Sequence, residues 1–387
     1  MTPLVDLALL LFAAKLGGII FNKLKQPSVL GELIAGIILG PSLFALVTNS
    51  ELIKTVSDLG LLFMILLVSL SINWKMVEGK AEKYTWMEIT RICFVAITLG
   101  AMSLVFSWDI YTTIIIGIII TIASTAIVAR TLTDARQIET ETGQTLLGLE
   151  VVDEVTAIVS VVIVANLVKG EVISFEPILT IILVVIGLFV VMSRVGFKFV
   201  TRFTSSIQRY GIEEALFAFT ILLAFTIGSL TESLNLGAIL GVFITGMLLC
   251  KSAQHPIITR KVKEIGESFF IPIFFASVGL AINLSIAYEQ MSFILLMIFI
   301  MVSVKILTAL ITFKIFNYSF SEGIKLTSGF ITFSEMTVVI AAIAVGKLSP
   351  AFYLSLITSF VLINILSPLI INATFKNNIK VSKKSWG

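Results

Sequence analysis

The stretch LGLEVVDEVTAIVSVVIVANL, Leu147–Leu167, is apolar enough to enter a bilayer, yet it carries Glu150, Asp153 and Glu154. A charged side chain at bilayer depth costs roughly 2.5 to 3.5 kcal/mol on insertion scales unless water, a partner or protonation relieves it. On a helix these three positions share one face. The stretch therefore reads as a membrane helix whose carboxylates are put to use.

The rest of the chain supports that setting. Hydrophobic residues make up 57% and charged residues 13% of 387 residues, and the mean hydropathy is +1.07. Such a chain is too apolar for a soluble domain, and its apolar runs recur at helix length. Two cysteines, Cys93 and Cys250, lie in or at the end of separate apolar runs. That pattern offers neither a disulfide framework nor a zinc site, and both read as inert packing residues. The single histidine, His255, falls in the polar stretch KSAQHPIITRK and reads as a solvated loop residue. The N-terminal run lacks a basic leader and a small-residue cleavage site, so the expectation is a retained first span.

Thirteen candidate spans follow from apolar runs of helix length. They cover 3–22, 28–46, 54–72, 86–106, 111–130, 144–167, 176–195, 213–230, 235–250, 265–282, 291–313, 326–345 and 351–373. Lysine and arginine gather in alternate connections, as cytoplasmic loops require. One face collects the basic residues between Lys23 and Lys25, Lys75 and Lys83, Arg130 and Arg136, Arg194 and Arg209, Lys251 and Lys263, and Lys314 and Lys325, together with the tail lysines. The other face has only Lys54, Lys169 and Lys347, while Lys15, Arg91 and Lys305 fall within spans. An odd count with this bias places the N-terminus outside and the C-terminus in the cytoplasm.

The two halves resemble one another. GELIAGIILG (Gly31–Gly40) pairs with GAILGVFITG (Gly237–Gly246), VSLSINW (Val68–Trp74) with VGLAINL (Val278–Leu284), and TIASTAIV (Thr121–Val128) with TFSEMTVV (Thr332–Val339). Order and spacing are kept. Six spans precede the seventh and six follow it, so the halves begin on opposite faces, the arithmetic of two inverted six-helix repeats with a linker helix. The expected fold is an all-α polytopic membrane protein of 13 transmembrane helices.

These motifs carry a resemblance. GELIAGIILGPSLF, STAIVARTLTD with TGQTLLGLEVVDEV, FFIPIFFASVGLAIN and FSEMTVV occur in that order, and together they resemble bacterial monovalent cation/proton antiporters of the NapA type, within the cation:proton antiporter-2 superfamily. The resemblance includes the germination-associated GerN branch and covers essentially the whole chain. It implies panel helices for dimerisation over 1–73 and 212–283, core helices over 86–168 and 291–375, a linker helix over 174–200 and a cytoplasmic tail over 376–387. It also implies that the fifth and twelfth spans are broken and cross in the core, beside the sixth and eleventh.

Carboxylates suit such exchange because an ionised oxygen offsets the hydration that Na+ loses on leaving water, and the same oxygen can hold a proton instead. Na+ is accordingly expected at Asp153 and Glu154. The resembling proteins usually carry Asp-Asp or Asn-Asp here, so the Asp-Glu pair leaves stoichiometry open. Glu150 is a possible accessory, either at the ion site or as a funnel-lining or surface charge. Lys305, deep in the eleventh span, is an ion-pair switch or a proton carrier, and the resemblance favours Asp153 as its partner. Thr121, Ser124 and Thr125 become cation ligands if the fifth span unwinds, whereas hydroxyls in intact membrane helices bond the preceding turn. Glu335 is assigned to compensating a half-helix N-terminus. Arg91 is left open between an acid partner and an interface.

The functional expectation is a secondary transporter, not an enzyme, exchanging Na+, Li+ or K+ for protons in a bacterial inner membrane, with no cofactor, no nucleic acid and a homodimeric assembly among lipids. A K+/H+ antiporter or K+ efflux system is the alternative, although efflux systems usually append a nucleotide-binding domain, and no glycine-rich phosphate loop is present here. A passive cation channel is the weaker alternative. Intramembrane aspartyl proteolysis is excluded because its acids sit in Tyr-Asp and Gly-x-Gly-Asp contexts that this chain lacks.

Overall fold

The computed structural model describes residues 2–24, 26–48, 50–71, 79–137, 140–168, 202–206, 213–233, 238–250, 252–282 and 284–376. The seventh span at 176–195, with the linker assigned to 174–200, and the tail beyond Lys376 lie outside the described residues. Among those described, the regular elements are helical. In chain order they are α1 (Pro3–Lys23), α2 (Ser28–Leu39), α3 (Glu51–Ser71), α4 (Ala81–Phe106), α5 (Ile110–Thr121), α6 (Thr125–Asp134) and α7 (Glu141–Val168). The second half holds α8 (Glu213–Ser233), α9 (Ala238–Leu249), α10 (His255–Ile265), a π-helical turn at Gly266–Phe270 leading into α11 (Ile271–Leu280), and α12 (Leu284–Glu289). It ends with α13 (Met291–Ile315), α14 (Phe320–Phe330), α15 (Met336–Ala344) and α16 (Pro350–Lys376).

Six of these helices are long and apolar enough to cross a membrane: α1, α3, α4, α8, α13 and the Pro350–Phe375 run of α16. The apolar helices α2, α5 and α9 have 12 residues each. At 1.5 Å per residue such a helix rises about 18 Å, short of the ~30 Å hydrocarbon layer. The fifth span illustrates the consequence. It is not one helix over 111–130 but α5 and α6, separated by extended backbone at Ile122–Ser124. The twelfth span is likewise α14 and α15, interrupted over Ile331–Glu335. Neither interruption contains glycine or proline; hydroxyl residues make both. Ser124 accepts the amides of Ile127 (on its hydroxyl, 3.4 Å) and Val128 (on its carbonyl, 3.1 Å), so it starts α6 as an N-cap. The Ser334 hydroxyl accepts the Met336 amide at 3.2 Å at the start of α15.

The chain divides into two compact units, Met1–Ile72 with Ile158–Asn283, and Asn73–Ala157 with Leu284–Gly387. In the first, α2 packs against α1 and α11, and α8 against α9. A Cβ built on Gly36 would fall on the Ala276 carbonyl, and one on Gly279 would fall on the Leu33 carbonyl. The α2 and α11 backbones therefore touch, the contact that small residues permit where lipid removes any hydrophobic drive between helices. The Ser57 and Ser277 hydroxyls, 2.7 Å apart, tie α3 to α11. His255 corrects the loop reading: it begins α10, and its Nε2 lies 2.8 Å from the Leu70 carbonyl oxygen. Cys93 is exposed and Cys250 half-buried, so Cys93 is not a packing residue within this chain.

In the second unit α4 packs on α5 and α13, and α16 packs on α6, α13, α14 and α15. The outer ends of the interrupted helices are capped. Asp109 accepts the Thr112 amide at 3.0 Å, and its other oxygen takes the Thr112 hydroxyl at 2.5 Å. Partial burial pushes the Asp109 carboxyl up, but these bonds outweigh it and hold the group below the usual carboxylate range. Ser319 and Glu322 form a capping box at the start of α14. Fixed outer ends leave the two interruptions as the irregular backbone of this unit's interior.

Candidate functional site

The interruptions meet. The Ser124 amide donates to the Thr332 hydroxyl at 2.8 Å, joining the first break to the second, and α5 also packs against α15. Each break exposes the carbonyl end of one half-helix and the amide end of the next, which carry opposite partial charges. The side chains around them match those charges. Lys305, buried on α13, donates to the Ile122 carbonyl and to the Thr332 carbonyl, both at 2.8 Å, and lies 4.4 Å from the centre of the Phe333 ring. One ammonium thus satisfies a carbonyl in each break. At the amide side, Asp153 on α7 accepts the Ala123 N–H at 2.6 Å, and Glu335 stands at the N-cap of α15 with the Ser124 hydroxyl 3.5 Å from its Oε1. Asn364 on α16 clamps the second break: its Oδ1 accepts the Phe333 amide at 2.9 Å and its Nδ2 donates to the Phe333 carbonyl at 2.7 Å.

Arg91, left open by the sequence, is the decisive charge on α4. It is buried, its guanidinium donates to both carboxylate oxygens of Glu88 at 2.7–3.0 Å, and its Nη2 donates to Oδ1 of Asp153. Its other side lies 4.4 Å from the ring centre of Phe330, the last residue of α14. The expected Lys305–Asp153 pair is therefore replaced. Lys305 feels the Asp153 and Glu150 charges but donates to backbone carbonyls, and Arg91 takes the carboxylate. An ammonium with three rotatable donors suits carbonyls arriving from two chains, whereas a planar guanidinium suits two carboxylates.

Of the remaining expected residues, Glu150 is fully buried and not a surface charge. Its Oε2 accepts the Thr125 hydroxyl at 3.3 Å, while its Oε1 is enclosed without a hydrogen-bond partner among the described residues. Thr125 also faces Glu154. Thr121 is committed to its own helix, its hydroxyl 2.8 Å from the carbonyls of Gly117 and Ile118. The structure thus brings Asp153, Lys305, Ser124, Thr125, Glu150 and Glu335 around the two breaks and bonds the Thr121 hydroxyl back to the preceding turn. Sequence reasoning missed Glu88, Thr332 and Asn364. Their available signal was an i, i+3 acid–base pair at the start of one apolar span and polar residues within two others.

Replacing Lys305 by Met removes both charge-assisted bonds and leaves two buried carbonyls without donors. With such a bond contributing about 1.5–3 kcal/mol net, Lys305→Met is expected to lower the thermal midpoint of the purified protein markedly. A midpoint within a degree of wild type, followed by fluorescence-detected size exclusion, would contradict this role.

Helical spans, two interrupted helices meeting inside one unit, and buried carboxylates answered by buried cations define a class, the membrane-embedded secondary ion exchangers. The chain belongs to the sodium/hydrogen exchanger family, whose transmembrane region matches residues 8–377. A probable Na+/H+ antiporter, GerT of Bacillus cereus, is 25% identical over 337 residues, covering 87% of this chain and 89% of that protein. The Na+/H+-K+ antiporter GerN of the same organism is 22% identical over 382 residues, 98% of each chain. The solved structure of the sodium proton antiporter MjNhaP1 from Methanocaldococcus jannaschii shares the fold with a TM-score of 0.61 at 15% identity, covering 99% of this chain and 97% of that one. The chain is thus a multi-pass membrane protein of a transporter family.

Proposed function

We infer that the chain exchanges monovalent cations for protons by alternating access, and that the exchange occurs where the helix breaks meet the α7 carboxylates. The observation carrying this reading is the joining of both breaks by Lys305 and by the Ser124–Thr332 bond beside Asp153. Discontinuous helices whose ends face a mid-membrane ion site are the device by which transporters release an ion to either side. Na+ is the first candidate cation, in keeping with the names of GerT and GerN, and K+ the second, in keeping with the name of GerN alone.

The finer architecture belongs to the same proposal. Thirteen spans in two inverted six-helix repeats are supported by the parallel sequence of elements: α4, α5–α6 and α7 in the first half correspond to α13, α14–α15 and α16 in the second. We assign a panel domain over 1–73 and 212–283 and a core over 86–168 and 291–375; the two compact units follow this division except over 158–168, which falls in the first unit. The basic-residue asymmetry supports an external N-terminus and a cytoplasmic C-terminus in a bacterial inner membrane. The close-packed glycines of α2 support a panel that assembles as a homodimer.

The test is a proteoliposome assay with an imposed pH gradient and a panel of Na+, Li+ and K+. The expected result is collapse of the proton gradient on cation addition, saturating with concentration. If two protons exchange for each cation, clamping the membrane potential changes the rate and the final gradient, because each charge moved responds by about 2.3 kcal/mol per 100 mV. No cation-dependent collapse would refute exchange. Cation flux without obligatory counterflow would make the protein a channel.

A further inference from the structure

The carboxylates of α7 are not equally available. Asp153 is occupied on both oxygens: Oδ1 accepts from Arg91, and Oδ2 accepts the Ala123 amide at 2.6 Å. Arginine does not discharge in proteins, so a cation approaching this carboxylate meets a permanent positive charge that Glu88 also holds in place. Asp153 is an anchor between α4 and the first helix break.

Three residues earlier the situation is reversed. Glu150 is fully buried, and among the described residues its Oε1 has no hydrogen-bond partner. Buried polar atoms are almost always satisfied, and one left alone is costly. Its Oε2 accepts a 3.3 Å bond from Thr125, the first residue of α6 beyond the break. The same Thr125 faces Glu154, which lies at i+4 from Glu150 and so on the same face of α7. Two carboxylates from one helix and a hydroxyl from the start of another thus converge just past the interruption. Among the described residues no group of three or more acidic, His or Cys side chains is placed to enclose a metal ion. The oxygens offered are those of two carboxylates and a hydroxyl, a sparse set suited to a hard monovalent cation that keeps part of its water.

We propose that in this exchanger the transported cation is received by Glu150 and Glu154 across the Thr125 hydroxyl, while Asp153, held by Arg91 and the Ala123 amide, positions the break and does not ligate. This assignment rests on the exchange reading above. It makes Glu150 a binding residue and Thr125 its bridge, and it explains why an unpartnered carboxylate oxygen is kept in the interior.

The test uses the full-length protein in lipid nanodiscs, with thermal stabilisation by NaCl, LiCl and KCl read against choline chloride, and exchange read in proteoliposomes. Glu150→Gln, which keeps the side-chain volume, is expected to raise the half-saturating concentration of the transported cation at least tenfold in both readouts. Thr125→Val is expected to raise it less. The Glu150→Gln, Thr125→Val pair is expected to raise it by less than the product of the single changes, since the two groups serve one ion. Asp153→Asn is expected to lower the midpoint without cation by more than Glu150→Gln does, and to move the half-saturating concentration less. Should Glu150→Gln not fold, Glu150→Asp withdraws the carboxylate by one methylene and is expected to shift half-saturation in the same direction. Wild-type exchange together with half-saturation unchanged in the folded Glu150 variant overturns this assignment alone. A wild-type protein that exchanges none of the three cations overturns the exchange reading, and this assignment with it.

Discussion

The Asp153→Asn, Glu154→Gln double variant is expected to insert and fold yet to exchange no cation above the liposome background. The reason is the same whichever residue touches the ion. Asp153 supplies the negative charge that holds Arg91 and the Ala123 amide, and Glu154 supplies a second carboxylate beside Thr125. Removing both leaves Arg91 and Lys305 with Glu88, Glu150 and Glu335 as the acids at or near the breaks, so the centre becomes more positive by two charges and less receptive to a cation. The assay is the proton-gradient collapse described above, made on protein that elutes as a single species. Wild-type turnover by the double variant would remove Asp153 and Glu154 from the mechanism.

The second large effect concerns Arg91. Removing one partner of a buried ion pair costs about 3–5 kcal/mol, because an uncompensated charge remains in the interior. Arg91→Ala strands two carboxylates at once, Glu88 and Asp153, and deletes the cation over the Phe330 ring. It is expected to lose stability by at least that amount, seen as a sharply lowered thermal midpoint or loss of the folded protein. Arg91→Lys is expected to recover only part of it, since an ammonium cannot present the guanidinium fork to Glu88 while also reaching Asp153. The Glu88→Gln, Arg91→Gln pair is expected to lose less than Arg91→Ala, since only Asp153 then stays unpaired. Equal midpoints for Arg91→Ala and wild type would show that the network adds nothing to stability.

Particular residues show why part of the site was legible and part was not. Asp153, Glu154 and Lys305 announced themselves because each is a charge far from either end of an apolar run, and bilayer energetics leave few reasons for such a charge. Arg91 is also a charge within an apolar run, though near its start, and its partner is 62 residues away along the chain, where sequence spacing does not reveal tertiary pairing. Thr332 and Asn364 are ordinary polar residues in sequence. Their importance arises only because the breaks leave backbone groups that something nearby must satisfy. The breaks themselves were expected from resemblance. No glycine or proline marks them, and a run such as IYTTIIIGIIITIASTAIVAR reads as one continuous helix by periodicity.

By itself, the sequence determined the solvent and the class and pointed to a neighbourhood for the chemistry: apolar runs must lie in lipid, and an acid within such a run needs water, a partner or protonation. These follow from transfer free energies, which depend on local composition and little on the neighbours. Only the tertiary structure decided which charge answers which. That Lys305 serves two carbonyls, that Arg91 claims Asp153, and that Glu150 has a carboxylate oxygen without a partner among the described residues depend on distances of a few ångströms between helices. Electrostatic and hydrogen-bond energies in a low-dielectric interior change steeply over such distances, and no pattern along the chain encodes them.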